Sequence, residues 1–265
     1  MKIGFLGGGN MAAAMIGGLH QGHPIVVVEP DAAKGVALAE RYGIATETAP
    51  AALFDCAVIV LAVKPQQLCA ALSGWPNLRP EQLVISVAAG VRAADIARWL
   101  GDHPAIVRCM PNTPALVGAG ITGLFALPGV NDTQRAAADT ILKAVGQVVW
   151  VDAEAQIDAV TAISGSGPAY VFLCIEALEA AARDLGLAAD TARQLALHTF
   201  LGAAQLAVAD GSDPAELRAR VTSKGGTTER GVAALEAADV RAAFRKAARD
   251  AAARANEMGD LFGKE

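Results

Sequence analysis

One junction near the start of the chain restricts the fold more than any other feature. The apolar run Lys2–Leu6 enters Gly7-Gly8-Gly9-Asn10-Met11-Ala12, and Ala12 opens a helical segment. Gly7, Gly9 and Ala12 stand at the three small positions of G-x-G-x-x-G/A, a strand–turn–helix pattern. The first glycine permits the tight turn, the second admits a pyrophosphate to the backbone, and the third small residue lets helix and strand touch. Free N–H groups at the helix start, together with its dipole, favour an anion there. Gly8, Asn10 and Met11 complete the loop. The pattern predicts a bound dinucleotide; a glycine turn that merely packs is the alternative. Glu29 lies 20 residues past Gly9, at the end of the next apolar run. An acid there hydrogen-bonds the ribose 2′-hydroxyl and repels a 2′-phosphate, which leans toward NADH. A solvated strand end is the other reading of Glu29. No arginine follows it closely, and Lys34 is the nearest basic residue.

The first half continues in the same alternation. Ile25–Glu29, Ala57–Val63, Leu83–Val87, Ile106–Cys109 and Gln147–Val151 read as strands, with helices over Asn10–Gln21, Asp31–Tyr42, Gln66–Leu72 and Ala93–Leu100. Nearly continuous apolar runs suit strands buried on both faces of a parallel sheet. An α/β, doubly wound domain is therefore expected over residues 1–152. Composition then changes. Of 12 prolines, only Pro168 and Pro214 lie beyond residue 128, and the whole net charge of −5 falls after residue 150. Residues 153–265 are expected to be all-helical. Ala169–Leu185 and Asp190–Ala209 are apolar on most of their circumference, so both should be buried. About 110 residues of helix can hardly bury two such helices alone, which predicts a homo-oligomer.

Several function classes are excluded. At 265 residues, 53% hydrophobic and 18% charged, the chain is not disordered. Its acidic balance and lack of a basic cluster argue against nucleic acid. Mean hydropathy is +0.36, but the apolar runs fall short of the roughly 20 residues that span a bilayer, and no membrane is expected. Cys56, Cys69, Cys109 and Cys174 show no C-x-x-C pairing and read as buried, reduced thiols. No signal or transit segment is read at the start, so a cytoplasmic location is expected. His20, His23, His103 and His198 read as structural, the last on a buried helix, and no metal is implied.

Further motifs follow the strands: Val63-Lys64-Pro65, Ser86-Val87-Ala88-Ala89-Gly90 and Arg108-Cys109-Met110-Pro111-Asn112-Thr113-Pro114. Two more lie in the helical half: Ser164-Gly165-Ser166-Gly167-Pro168-Ala169-Tyr170 and Ser223-Lys224-Gly225-Gly226-Thr227-Thr228. With the glycine loop, these motifs resemble, in order and spacing, those of the pyrroline-5-carboxylate reductases, over essentially the whole chain. Lys224 stands where many members have proline. Glu29 stands where many members that favour NADPH have a small hydroxyl residue, so NADPH and NADH both remain open.

The resemblance implies a Rossmann domain followed by a helical dimerisation domain, with interlocked dimers that often assemble into decamers. It implies reduction of 1-pyrroline-5-carboxylate to L-proline by NADPH or NADH, the last step of proline biosynthesis. A protonated cyclic imine needs a well-placed hydride and little acid–base help, which agrees with the absence of a His/Asp or paired-carboxylate constellation. Ala89 and Gly90 would leave room for the cofactor, and Met110, Pro111 and Asn112 would line the floor beneath the nicotinamide. Gly225, Gly226, Thr227 and Thr228 would hold the substrate carboxylate, with the Thr228 hydroxyl near the imine nitrogen; a helix N-cap is its other reading. Lys64 would steer the nicotinamide edge or the anionic substrate. Ser164, Ser166 and Glu154 would lie near the substrate. Two rivals stand further off. A 3-hydroxyacid dehydrogenase needs a lysine in G-x-x-x-K, but Val171 occupies that place after Gly167. A dinucleotide sensor with a dead substrate site is disfavoured by the intact Gly225–Thr228 loop.

Overall fold

The apolar runs become neighbouring strands of one sheet because helices cover both of its faces. In the computed structural model, which describes residues 1–264, the order is β1 (Ile3–Leu6), α1 (Asn10–Leu19), β2 (Ile25–Val28), α2 (Ala32–Tyr42), β3 (Ala45–Glu47), β4 (Val58–Leu61), α3 (Pro65–Leu72), β5 (Leu83–Ser86), α4 (Ala93–Trp99), β6 (Ile106–Met110), β7 (Gly120–Ala126), α5 (Asp132–Lys143), β8 (Gly146–Trp150) and α6 (Gln156–Val160). A π-helical turn, Thr161–Gly165, continues α6. The sheet runs β3-β2-β1-β4-β5-β6-β7-β8. Phe5 pairs in register with Val27 on one side and Val60 on the other. Ile3, Phe5, Val58 and Val60 face one core with Met15 and Ile16 of α1. Leu6, Ile59 and Leu61 face the opposite core with Leu68, Leu72 and Ile96.

The expected parallel sheet has one departure, since β7 lies antiparallel to β6. Neither β3 nor β7 is evident as a strand in the sequence. The first is three residues, Ala-Thr-Glu, at an edge. The second is broken by Gly120 and Gly123, and the latter is bare because a Cβ there would stand 2.6 Å from Val160 of α6.

Two compact units emerge, residues 1–166 with 248–265, and residues 167–247. The first unit therefore extends past the expected boundary at Asp152. The physical reason is Arg108 of β6, which holds Glu154 and Asp158, each at 3.1 Å.

The second unit contains α7 (Gly167–Asp184), α8 (Ala189–Asp210), α9 (Pro214–Arg220), α10 (Thr227–Ala237) and the start of α11 (Val240–Phe262). Helices α7 and α8 are as apolar as expected, yet the single chain does not bury them. No residue of α7 is buried, and only Ala192 and Ala196 of α8 are. Phe172 is 63% exposed, Leu173 65% and Val208 87%. His198 is likewise exposed, which corrects its expected place on a buried helix. By length and composition alone, the helical stretch Gln156–Asp184 is long and apolar enough to cross a membrane; no single uninterrupted run in the sequence shows this, because it joins α6, the π turn and α7.

Phe5 is fully buried at the centre of the sheet. Phe5→Ala is expected to destabilise the fold by about 3–5 kcal/mol, read as a lowered urea midpoint at fixed protein concentration.

Candidate active site

The site forms where β1 and β4 lie side by side while their onward connections run to opposite ends of the sheet. Ligands of open α/β sheets bind outside the carboxyl ends of the strands at such a point. Gly7 follows β1 with φ +97°, and a Cβ on it would stand 2.8 Å from the Ala62 carbonyl oxygen that follows β4. Its N–H donates to the Val28 carbonyl at 2.8 Å. Only glycine satisfies both the angle and the approach. Gly9 differs, because a Cβ there would meet nothing within 4 Å. Gly9 is the N-cap of α1, which has neither a side-chain cap nor an acid in its first turn. Gly9 and Asn10 are exposed and Met11 is half-buried, whereas Ala12 is fully buried against the sheet. An uncapped helix start facing open space fits the pyrophosphate of a dinucleotide.

Glu29 closes this loop from the side. Its Oε2 accepts the Gly8 N–H at 2.8 Å and its Oε1 the Asp31 N–H at 3.0 Å. A carboxylate held by two backbone donors is fixed in place.

The remaining strand-end motifs divide in role. Val63 is half-buried, and Lys64 is exposed at the N-cap of α3, with Pro65 at its first position. Ser86 Oγ accepts the Ala88 N–H at 3.3 Å, which shapes the turn toward half-buried Ala89. Gly90 has φ +79°, and a Cβ on it would stand 2.9 Å from Met258 Cβ and 3.2 Å from Phe262. The end of α11 thus fills the space expected to be open for a cofactor, and the bareness of Gly90 answers to helix packing. Met110 is half-buried, while Pro111 and Asn112 are buried. Asn112 Oδ1 accepts the Ile121 N–H at 3.0 Å and so pins β7.

In the π turn that holds Ser164 and ends at Ser166, a Cβ on Gly165 would meet Met110 Cε at 2.6 Å. The Ser164 hydroxyl donates to the Val160 carbonyl at 3.0 Å, and the Ser166 N–H to the Thr161 carbonyl at 2.8 Å. Glu154 is committed elsewhere, since its Oε1 accepts the Ala93 N–H at 2.7 Å and Arg108 Nη1 at 3.1 Å. It caps α4 and, with Asp158, balances an arginine that is 3% exposed. The sequence motif contains Arg108 without giving it a role, although a lone arginine inside the apolar strand Ile-Val-Arg-Cys-Met is itself a signal of a buried partner.

In the second unit, Gly225 has φ +76° and donates its N–H to Glu229 Oε2 at 2.8 Å. Gly226 is the N-cap of α10, with its N–H donated to the Ser223 carbonyl at 3.0 Å. Thr227 and Thr228 are the first helical residues, both exposed. The cap belongs to Gly226, so the alternative reading of Thr228 as N-cap does not hold.

The surroundings of the two buried cysteines disfavour the thiolate. Burial pushes the Cys56 thiol up to about 11 and the Cys109 thiol up as well. Cys109 Sγ donates to the Ser86 carbonyl at 3.2 Å. Cys69 and Cys174 are half-buried rather than fully buried. Among the described residues no cluster of three or more His, Cys, Asp or Glu could hold a metal.

The sheet, its switch point and the uncapped glycine loop define a dinucleotide-binding oxidoreductase with a helical partner region. Comparison gives the family. Residues 154–258 match the family model described as pyrroline-5-carboxylate reductase dimerisation, and residues 2–90 that described as NADP oxidoreductase, coenzyme F420-dependent. The chain is 45% identical to a pyrroline-5-carboxylate reductase of Pseudomonas aeruginosa, over 99% of this chain and 98% of that one. A solved pyrroline-5-carboxylate reductase of Coxiella burnetii superposes with TM-score 0.90 at 42% identity, covering 97% of each chain. That of Plasmodium falciparum, solved with NADP bound, gives 0.83 at 28% identity, covering 98% of each. The chain belongs to the pyrroline-5-carboxylate reductase family.

Gly9→Ala is expected to leave the unfolding free energy within about 0.5 kcal/mol, whereas Gly7→Ala, strained and in collision, lowers it by about 1–3 kcal/mol. Equal effects in urea titrations would contradict the open cradle. Arg108→Ala strands two carboxylates and should cost about 3–5 kcal/mol in the same measurement.

Proposed function

We propose that the protein reduces the C=N bond of 1-pyrroline-5-carboxylate to give L-proline, the last step of proline biosynthesis, with NADPH or NADH as reductant. The observation that carries this reading is the open, uncapped cradle at Gly9 at the switch point of a chain of this family. The bound nicotinamide dinucleotide supplies the hydride. Everything asked of the protein is placement, because a protonated cyclic imine is already a strong electrophile.

Gly9, Asn10 and Met11 receive the pyrophosphate, Gly7 and Gly8 shape the loop around it with their own N–H groups already used, and Glu29 receives the adenosine ribose. Val63, Lys64, Pro65 and Ala89 border the strand ends, while Met110, Pro111 and Asn112 form the nicotinamide floor with Ser164 and Ser166 beside them. Gly90 and Glu154 act one step back, by seating α11 and capping α4. The N–H groups of Gly225 and Gly226 are used within their loop. The Thr227 and Thr228 N–H groups therefore take the substrate carboxylate, aided by the dipole of α10. The Thr228 hydroxyl, relieved of capping, hydrogen-bonds the imine nitrogen. Lys64 steers the anionic substrate or the nicotinamide edge.

Residues 1–152 are read as the dinucleotide-binding domain and 153–265 as the dimerisation and substrate domain. The uncovered faces of α7 and α8 support a homodimer, with a decamer as the higher assembly, and give the apolar stretch Gln156–Asp184 a protein partner instead of a bilayer. A cytoplasmic enzyme without nucleic-acid or membrane partners fits this reading.

Turnover is followed by the loss of reduced-nicotinamide absorbance with 1-pyrroline-5-carboxylate. Thr228→Ala is expected to lower kcat about a hundredfold and leave dinucleotide affinity unchanged. An unaltered kcat would remove Thr228 from the site. Dinucleotide binding without any turnover by the unaltered protein would overturn the reaction assigned.

A further inference from the structure

The side of the glycine loop where β2 ends holds more negative charge than the loop itself requires. Glu29 is fixed there by Gly8 and Asp31, one amide on each oxygen. A carboxylate has about four acceptor positions, so one on each oxygen remains. Two such acceptors side by side suit a vicinal diol, the 2′- and 3′-hydroxyls of an adenosine ribose. A cavity of about 210 Å³ opens beside Glu29, lined also by Gly35, Val36, Thr46, Glu47 and Thr48. Glu47 lies at the end of β3, and its backbone carbonyl accepts the Glu29 N–H at 3.0 Å, which brings a second acidic residue to the same strand end and the same cavity. None of the residues lining the cavity is basic. The nearest cation in sequence, Lys34, stands 3.5 Å from Asp31 Oδ2 and is mostly exposed. Asp31 in turn caps α2 through the Ala33 and Lys34 amides.

We propose that this arrangement makes the protein an NADH-selective member of its family, with Glu29 the specificity-determining residue and Glu47 its reinforcement. The inference rests on the dinucleotide reading of the glycine loop and deepens it. A 2′-phosphate would bring about two negative charges against the Glu29 carboxylate, displace its hydrogen bonds to the diol, and find no arginine to neutralise it. Like charges at such distances disfavour binding by on the order of tenfold or more. The two backbone donors prevent Glu29 from swinging aside, since doing so would leave the Gly8 N–H without its acceptor.

The test is calorimetric titration of the full-length protein with NADH, NADPH, 5′-AMP and 2′,5′-ADP, none of which requires turnover. NADH should bind at least about tenfold more tightly than NADPH, and 5′-AMP more tightly than 2′,5′-ADP. Glu29→Ser should weaken NADH and strengthen NADPH, and so collapse or invert the ratio. Glu29→Gln keeps the size and one acceptor oxygen, which guards against a folding defect, and should also collapse the ratio. Glu47→Gln should reduce it by a smaller factor. Tighter binding of NADPH by the unaltered protein, or a ratio that both Glu29 variants leave in place, would overturn the inference while leaving the reductase assignment standing. Binding of neither dinucleotide would overturn the cofactor reading and this inference with it.

Discussion

Everything at the catalytic edge depends on how closely two backbones meet between β1 and β4. Gly7 comes within what would be Cβ-contact distance of the Ala62 carbonyl, and the chain leaves the two strands in opposite directions. That divergence leaves the crevice, and the approach keeps it shallow enough for the first turn of α1 to reach a ligand lying across it. Both requirements act on the same few atoms. Gly7 is bare because of the fold, whereas nothing in the fold requires Gly9 to be bare, although both read as one motif. The distinction is visible only in space: one absent Cβ faces a carbonyl, and the other faces nothing.

A second device holds the strand ends that the crevice needs. Arg108 sits in the middle of β6, two residues before Met110, and its guanidinium reaches both Glu154 and Asp158. Glu154 spends the same oxygen on the first amide of α4. This ion-pair network therefore couples the middle of β6, the turn that follows β5 and the segment that follows β8. Buried charges are seldom a net source of stability against apolar replacements, but removing one partner is costly. Such a network suits a place where relative position matters more than stability. At the far side of the same turn, Met258 and Phe262 fill the space left by Gly90. The turn is braced from two sides, and its own Arg92 adds a hydrogen bond to Asn256 and an ion pair with Asp260 of α11.

How much of this was legible in the residues follows from the kind of pattern each element carries. The strands β1, β2, β4 and β5 are near-continuous apolar runs and announce themselves, since burial on both faces leaves little polar residue to confuse the reading. The edge strand β3 and the glycine-broken β7 carry no such run. Their pairing is a tertiary fact, imposed by β2 in one case and by β6 and β8 in the other. At the site, the glycine loop, Glu29 and the Gly225–Thr228 loop are local motifs and could be read directly. The commitments of Glu154 and Gly90 were not readable, because their partners Ala93, Arg108, Met258 and Phe262 are distant in sequence. The helical half shows the same limit from the other direction. Its apolar surface was evident, but what covers it lies outside a single chain.

That last point bears on what the folded chain is. Helices α7 and α8 present Phe172, Leu173, Leu195, Leu201 and Val208 to solvent in one chain, a surface beyond what stray exposed side chains explain. A family whose model for this segment is one of dimerisation supplies the cover. The free energy of burying those side chains is then available only on association, and the stability of the second unit becomes a function of protein concentration. The Gly225–Thr228 loop belongs to that unit. Its donors are first-turn amides of α10, a helix with no buried residue in the single chain. Ordering of the first-turn amides of α10 is therefore linked to self-association, whereas the glycine loop is complete within the sheet that one chain builds.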